Sequence, residues 1–257
     1  MRGGCGPRRR CCAGPGWPSP PGAFAPAPGS RYLPRVAATI DTERAVAHLR
    51  RADDVMAMVI EAVGPPRLRE PSPTAFQALA RSVIFQQLSG KAASTILGSF
   101  VALFREGATA EDAVDGFFPE PGEVLSIEDE AMRSAGVSRQ KAAALRDLAA
   151  HFAEGKLSVE RFGEWSDEEV IAHLLPVRGI GRWTAQMFLM FQLRRPDVLP
   201  TADVGLNRAM MRLYGLDAPA TPDEVERIGK PWHPWATLAC WYLWRSEDVT
   251  LPIGGPA

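Results

Sequence analysis

A chain of 257 residues, 46% of them hydrophobic, is long enough to bury a sizeable core as one domain or as two closely packed subdomains. Its formal net charge of −1, from 29 basic and 30 acidic side chains, excludes a bulk electrostatic attraction to nucleic acid, so binding to a polyanion must come from local backbone and a few cations. The longest mostly apolar runs, 187–193 and 236–244, are too short to span a bilayer, and four cysteines, three of them in the first 12 residues, supply no disulfide framework.

Residues 1–36 are rich in Gly, Pro, Ala and Arg, hold six Arg and no acid, and show neither helical nor strand periodicity, which predicts a disordered tail. The tail lacks a continuous apolar stretch and is not a secretory signal; a transit peptide, a tail without function and an over-extended gene start all fit its composition. The body, 37–257, opens with a predicted helix from Asp41 to Val63, ended by Gly64-Pro65-Pro66. Pro71-Ser72-Pro73-Thr74 starts a second helix that turns Phe76, Leu79, Ala80, Val83 and Ile84 inward. The polar run Phe85-Gln86-Gln87-Leu88-Ser89-Gly90 interrupts it before a third helix from Lys91 to Phe104; on composition alone Gln86, Gln87 and Ser89 cap two helices. A small helix from Ser126 to Ala135 is stopped by Gly136, and another runs from Ser138 to Phe152, with Arg139 and Lys141 either solvated or contacting phosphate.

Ser166-Asp167-Glu168-Glu169 caps a helix closed by Leu174 and Leu175. Gly179-Ile180-Gly181 then makes a turn in which both glycines can take φ > 0, and a second helix begins at Arg182. The unpaired N–H groups of its first turn are suited to a phosphate. Pro196 and Pro200 break the chain, and the loop delivers Asp203 just before a further apolar helix that ends near Gly215. Thr221-Pro222-Asp223-Glu224 starts one more helix, and the chain closes on Pro231-Trp232-His233-Pro234-Trp235-Ala236 and an apolar run to Trp244. There is no strand run with convincing alternation and no internal repeat, so the body reads as all-α.

Gly179-Ile180-Gly181-Arg182-Trp183-Thr184-Ala185, with Arg195-Pro196-Asp197-Val198 and Asp203 behind it, resembles the helix-hairpin-helix DNA glycosylase superfamily, and within it the DNA-3-methyladenine glycosylase II branch. Gln86-Gln87-Leu88-Ser89, Ser138-Arg139-Gln140-Lys141 and Trp232-His233-Pro234-Trp235 extend the resemblance over most of 41–246; Ala236 departs from it, standing where an Arg is usual. The resemblance implies two helical subdomains, a six-helix barrel beside a layer built from both chain ends, with the hairpin (about 174–190) at the cleft.

It implies base excision repair: a monofunctional glycosylase that flips an alkylated purine of the 3-methyladenine or 7-methylguanine type from double-stranded DNA and leaves an abasic site. Asp203 is the implied catalytic carboxylate. Trp183, Trp244, Phe85 and Met187 would form the base pocket, where aromatic faces attract a cationic base. Gln87, or in competition Leu88, would fill the gap in the helix. Gly179, Gly181, Arg182 and Thr184 would meet phosphate, and the carbonyls of Leu175, Val177 and Gly179 would hold a monovalent cation (K+ or Na+) on DNA. No cofactor is required: Trp183 replaces the Lys of strand-cleaving relatives, and one C-terminal cysteine, Cys240, cannot hold an iron–sulfur cluster. The expected protein is a monomer without membrane contact, cytoplasmic with the nucleoid in a bacterium and nuclear or organellar in a eukaryote. The competing readings are a glycosylase for another damaged or mismatched base, and a non-catalytic DNA-binding module.

Overall fold

The computed structural model describes residues 40–250, and every regular element among them is helical. The tail assigned to residues 1–36 lies outside the described residues. The chain opens with α1 (Thr42–Ala52) and α2 (Asp54–Val63), where the sequence pattern predicts one helix. Asp53 makes the break. Its backbone is extended, its Oδ1 accepts the Met56 N–H at 3.0 Å, and so it ends α1 and caps α2. Its Oδ2 accepts the Tyr214 hydroxyl at 2.7 Å and the Trp232 indole N–H at 2.9 Å, partners more than 160 residues away that no local period reveals.

Next come α3 (Ala75–Phe85), capped by Thr74, and α4 (Gly90–Ala102), capped by Ser89. The short α5 (Asp112–Asp115), α6 (Pro121–Ser126) and α7 (Asp129–Ser134) lead to α8 (Arg139–Ala153), capped by Ser138. The predicted helix from Ser126 to Ala135 is therefore α7 alone, because Ser126 closes α6 and Ile127 is extended. The hairpin helices are α9 (Asp167–Leu174), opened by a Ser166–Glu169 capping box, and α10 (Arg182–Phe191). After them lie α11 (Val204–Tyr214), capped by Asp203 and ended by Gly215 at φ 65°, α12 (Pro222–Gly229), with a Thr221–Glu224 capping box, and α13 (Ala236–Arg245).

The helices sort into two layers. α3 packs on α4, α8 and α10, α8 packs on α6 and α7, and α9 lies on α10, forming one unit from α3 to α10. α13 packs on α1, α2 and α11, so both ends of the described chain build the second layer. Leu79, Val83 and Ile84 of α3, Leu145 and Leu148 of α8, and Leu189 of α10 are wholly buried. Each such side chain contributes about 1.5–3 kcal/mol of burial, which sets the register of each helix against its neighbours. No helix among the described residues is long and apolar enough to cross a membrane.

Candidate active site

Between α9 and α10 the chain turns at Gly179, which has φ 79° and whose added Cβ would stand 2.8 Å from the Ala144 Cβ on α8. Backbone and space both demand glycine there. Gly181 differs from the expectation: at φ −95° it is extended, and it serves as the N-cap of α10. Most of the longer helices here are capped by their own Ser, Thr or Asp, whereas Gly181 brings no side chain, leaving the first-turn N–H groups of α10 without a side-chain cap. Such a terminus suits an anion. On the other arm of the turn, the Arg178 N–H already donates to Asp147 Oδ2 at 2.7 Å.

The other expected phosphate contacts divide. The Arg182 guanidinium is exposed and engaged by Glu168 through two hydrogen bonds. Thr184 is buried, and its hydroxyl accepts from Gln86, so only its backbone faces the helix start. Lys141 donates to the carbonyls of Ile84 (2.7 Å) and Gln86 (2.9 Å), which occupies the ammonium at the C-terminus of α3. Burial lowers its pKa from the ordinary lysine value.

Those bonds hold the loop between α3 and α4. Gln87 takes φ 57°, a left-handed conformation costly for a non-glycine residue, and Leu88 beside it is exposed. Gln86 reaches from this loop to the hairpin, donating to the Gly179 carbonyl at 2.9 Å and to Thr184 Oγ1 at 3.2 Å. Loop and hairpin are thus one rigid edge. Gln86 is polar at the end of an apolar helix, and the sequence reading gave it only a capping role.

Asp203 stands where the two layers meet. Its side chain is 7% exposed. Oδ1 accepts the Leu206 N–H at 2.5 Å and the Trp244 indole N–H at 2.9 Å, while Oδ2 accepts the Trp183 indole N–H at 2.6 Å. Two indoles, one from α10 and one from α13, grip the same carboxylate. A carboxylate has about four lone-pair sites. Three are used, and the remaining one is on Oδ2, on the side of half-exposed Trp183. Gly205 keeps this arrangement open, since a Cβ there would lie 3.3 Å from Asp203 Oδ1 and 3.5 Å from the Trp244 ring. A glycine inside the first turn of a helix was its signal in the sequence.

The loop that carries Asp203 is fastened to the start of α13. Thr237 Oγ1 accepts the Val198 N–H and donates to the Arg195 carbonyl, and the Thr237 N–H donates to the Pro196 carbonyl. Asp197 accepts the Ala236 N–H at 3.3 Å and pairs with His233 Nδ1 at 2.7 Å. Ala236 is wholly buried at this junction, with the Asp197 contact served by backbone and His233.

Two cavities lie near the partners of the carboxylate, although Asp203 itself lines neither. One, of about 300 Å³, is lined by Phe85, Met187, Phe188 and Phe191 with Arg81 and Ser72 at its polar wall. The other, of about 640 Å³, includes Trp244, Trp241 and Arg69. Phe191 borders both and lies 5.9 Å, centroid to centroid, from Trp244. Of the four expected pocket residues, Phe85 and Met187 share the first cavity, Trp244 borders the second, and Trp183 borders neither. Trp232 is wholly buried in the second layer with its N–H on Asp53.

A hairpin presenting bare helix N–H groups, a rigid loop beside it and one gripped carboxylate between two helical layers define a helix-hairpin-helix protein built around a single acid. Residues 80–234 match the model of the HhH-GPD superfamily base excision DNA repair protein, and the chain belongs to that family. DNA-3-methyladenine glycosylase 1 of Schizosaccharomyces pombe is 32% identical over 217 residues, covering 82% of this chain and 91% of that one. The solved S. pombe 3-methyladenine DNA glycosylase (Mag1) in complex with abasic DNA superimposes with a TM-score of 0.72 at 30% identity, over 80% of this chain and 98% of that one. A DNA-3-methyladenine glycosidase from Bacillus halodurans gives 0.64 at 36% identity, over 79% and 88%. Some relatives are longer: the chain spans 59% of a 34% identical Bacillus subtilis protein.

Proposed function

We propose that the protein is a monofunctional DNA glycosylase of base excision repair, hydrolysing the N-glycosidic bond of alkylated purines in double-stranded DNA and leaving an abasic site. The observation that carries this reading is the Asp203 carboxylate, fixed by two indoles beside an aromatic cleft and a helix-hairpin-helix. The relatives named for 3-methyladenine, and the abasic DNA bound by one of them, support the same reading.

A purine alkylated on its ring is cationic, so its electrons withdraw easily from the C1′–N bond as that bond breaks. The sugar is left with oxocarbenium character, which a carboxylate held close stabilises. Water adds at C1′, and its proton passes toward the open lone pair of Asp203 Oδ2. Trp183 and Trp244 hold the carboxylate in orientation, and Phe85 and Met187 face the extruded base. Gln87 and Leu88 occupy the gap that extrusion leaves, at a cost of a few kcal/mol in lost stacking. Trp183 offers no amine, so no covalent attack on the sugar and no strand cleavage follow.

Gly179, Gly181, Arg182 and the first-turn N–H of Thr184 meet the DNA backbone. The carbonyls of Leu175, Val177 and Gly179 would hold a monovalent cation, which adds positive charge next to a phosphate. Those of Val177 and Gly179 each already accept one hydrogen bond and keep a second lone pair, which fits such a weakly bound ion.

The test is release of free base from methylated duplex DNA by the full chain and by Asp203→Asn, followed by alkali. Base release by the wild type only, with strand breaks appearing only after alkali, is the expected result. Equal release by the variant overturns the role of Asp203, and breaks without alkali overturn monofunctionality.

A further inference from the structure

The cavity lined by Phe85 and Met187 holds a cation that the mechanism does not use. Arg81 projects from α3 into the wall formed by Phe85, Met187, Phe188 and Phe191. A guanidinium carries five N–H donors. Among the described residues Arg81 finds one partner, Ser72 Oγ, at a long 3.3 Å, and its Nε is buried without any. Other arginines also keep an unpartnered buried nitrogen, but Arg194, Arg195 and Arg212 do not line this cavity. Arg69, on the same wall, adds a second positive charge, and burial together with Arg69 lowers the pKa of Arg81 from the ordinary arginine value. Of the other polar side chains that line the cavity, Gln192 is spent, its amide donating to the Ser72 carbonyl and accepting the Ser72 N–H, both at 2.9 Å, Ser82 donates to the Ala78 carbonyl, and Glu70, exposed beside Arg69, makes no hydrogen bond to Arg81 among the described residues.

Asp203 does not line the cavity, but two of the lining residues connect it to the partners of that carboxylate. Met187 sits one helical turn beyond Trp183, whose indole holds Asp203, and Phe191 stacks toward Trp244, which holds its other oxygen. A guanidinium nitrogen buried without a partner costs free energy until an acceptor arrives. The base able to repay it carries an oxygen on the edge turned to the wall. Guanine-derived bases and hypoxanthine present O6 there, the acceptor that arginine reads in duplex DNA. Adenine-derived bases place an amino donor at the same ring position, so donor would face donor.

Resting on the reading of this cleft as the base pocket, we propose that Arg81 is a specificity-determining residue that donates to O6 of an extruded 6-oxopurine, favouring 7-methylguanine and hypoxanthine over 3-methyladenine. The full chain, Arg81→Met and Arg81→Lys are compared on duplexes bearing each lesion singly, with kcat/KM measured for each. In Arg81→Met the ratio of 6-oxopurine to 3-methyladenine excision falls about tenfold, the scale of one good base contact, and Arg81→Lys falls less. A purely structural role would lower all lesions alike, and an unchanged ratio overturns the proposal. Calorimetry with free hypoxanthine and free adenine separates this from failure of the glycosylase reading, because it needs no bond cleavage. Hypoxanthine bound more tightly than adenine by the wild type, with the preference lost in Arg81→Met, supports the role even if no base is released. No such preference in the wild type overturns it.

Discussion

Asp53 and Asp203 are the same device used twice. Each is the N-cap of a helix, each accepts a backbone N–H through Oδ1, and each is held by a tryptophan indole on a distant helix or turn. The difference lies in what surrounds them. The partners of Asp53 are Trp232, wholly buried, and Tyr214, whose hydroxyl pKa burial and the neighbouring carboxylate raise. One partner of Asp203 is Trp183, 42% exposed at the start of the hairpin helix, and the other, Trp244, borders a cavity. A capped, hydrogen-bonded acid is therefore no sign of chemistry in itself: each of the two accepts three hydrogen bonds, and what sets Asp203 apart is the exposed indole of the hairpin helix that holds it.

The contrast breaks if the two acids respond alike. Asp203→Asn places an amide N–H against an indole N–H and removes the charge that steadies the sugar. Base release should fall by about 10²–10⁴ while duplex binding persists, measured by single-turnover excision and by a gel-shift titration. Asp53→Asn should do the reverse. The amide keeps the cap oxygen but replaces the charged acceptor of the Tyr214 hydroxyl and the Trp232 indole, which costs about 1–3 kcal/mol in urea unfolding, with turnover per folded molecule unchanged. A catalytic defect in Asp53→Asn at full folding would erase the distinction.

The hairpin and the place of Asp203 at the start of α11 were legible because both depend on local signals: a glycine pair, a proline-broken loop and an acid before an apolar helix. The helices of the body were legible for the same reason, through their caps and periods. What the sequence reading missed is non-local. The split at Asp53 is stabilised from Tyr214 and Trp232, and Gln86 acts across 93 residues to Gly179. Trp183 reads from the sequence as a pocket wall because aromatic type and position suit that role; whether its ring stacks on a base or its N–H grips an acid depends on side-chain direction, which the sequence does not contain.

A smaller effect sharpens the contrast at the loop edge. Gln86 and Lys141 touch neither Asp203 nor either cavity's polar wall, yet they bind the loop carrying Gln87 and Leu88 to the hairpin and to α8. If that edge serves extrusion, Gln86→Ala and Lys141→Met should each slow excision from an intact duplex by about tenfold, the loss of one or two hydrogen bonds. Excision of the same lesion opposite an unpaired gap, where the base is already free to leave the stack, should recover most of that loss. Equal defects on both substrates would assign the two residues to folding instead.

The smallest effect belongs to His173 on α9, behind the hairpin. Its Nε2 accepts the Ser158 N–H at 3.1 Å, and its ring packs edge-on against Trp165 (4.8 Å) and Phe162 (5.8 Å). An acceptor nitrogen must be unprotonated, and burial lowers the pKa of this histidine from its ordinary value, with Glu160 opposing the shift and Arg161 and His151 adding to it. A lowered folded-state pKa means that the unfolded chain binds the proton more readily. The stabilisation is then complete above about pH 6.5 and is lost as pH falls below it toward the folded-state value. The ring is only half-buried and water screens it, so the expected change is small, a drop in Tm of about 1–2 °C between pH 7 and pH 5.5 beyond that of His173→Gln. Glutamine keeps an acceptor for Ser158 without titrating, so parallel pH curves for the two proteins would show that this side of the hairpin does not respond to protonation, while a gap opening below pH 6.5 would place His173 as the weak point in the packing under the hairpin turn.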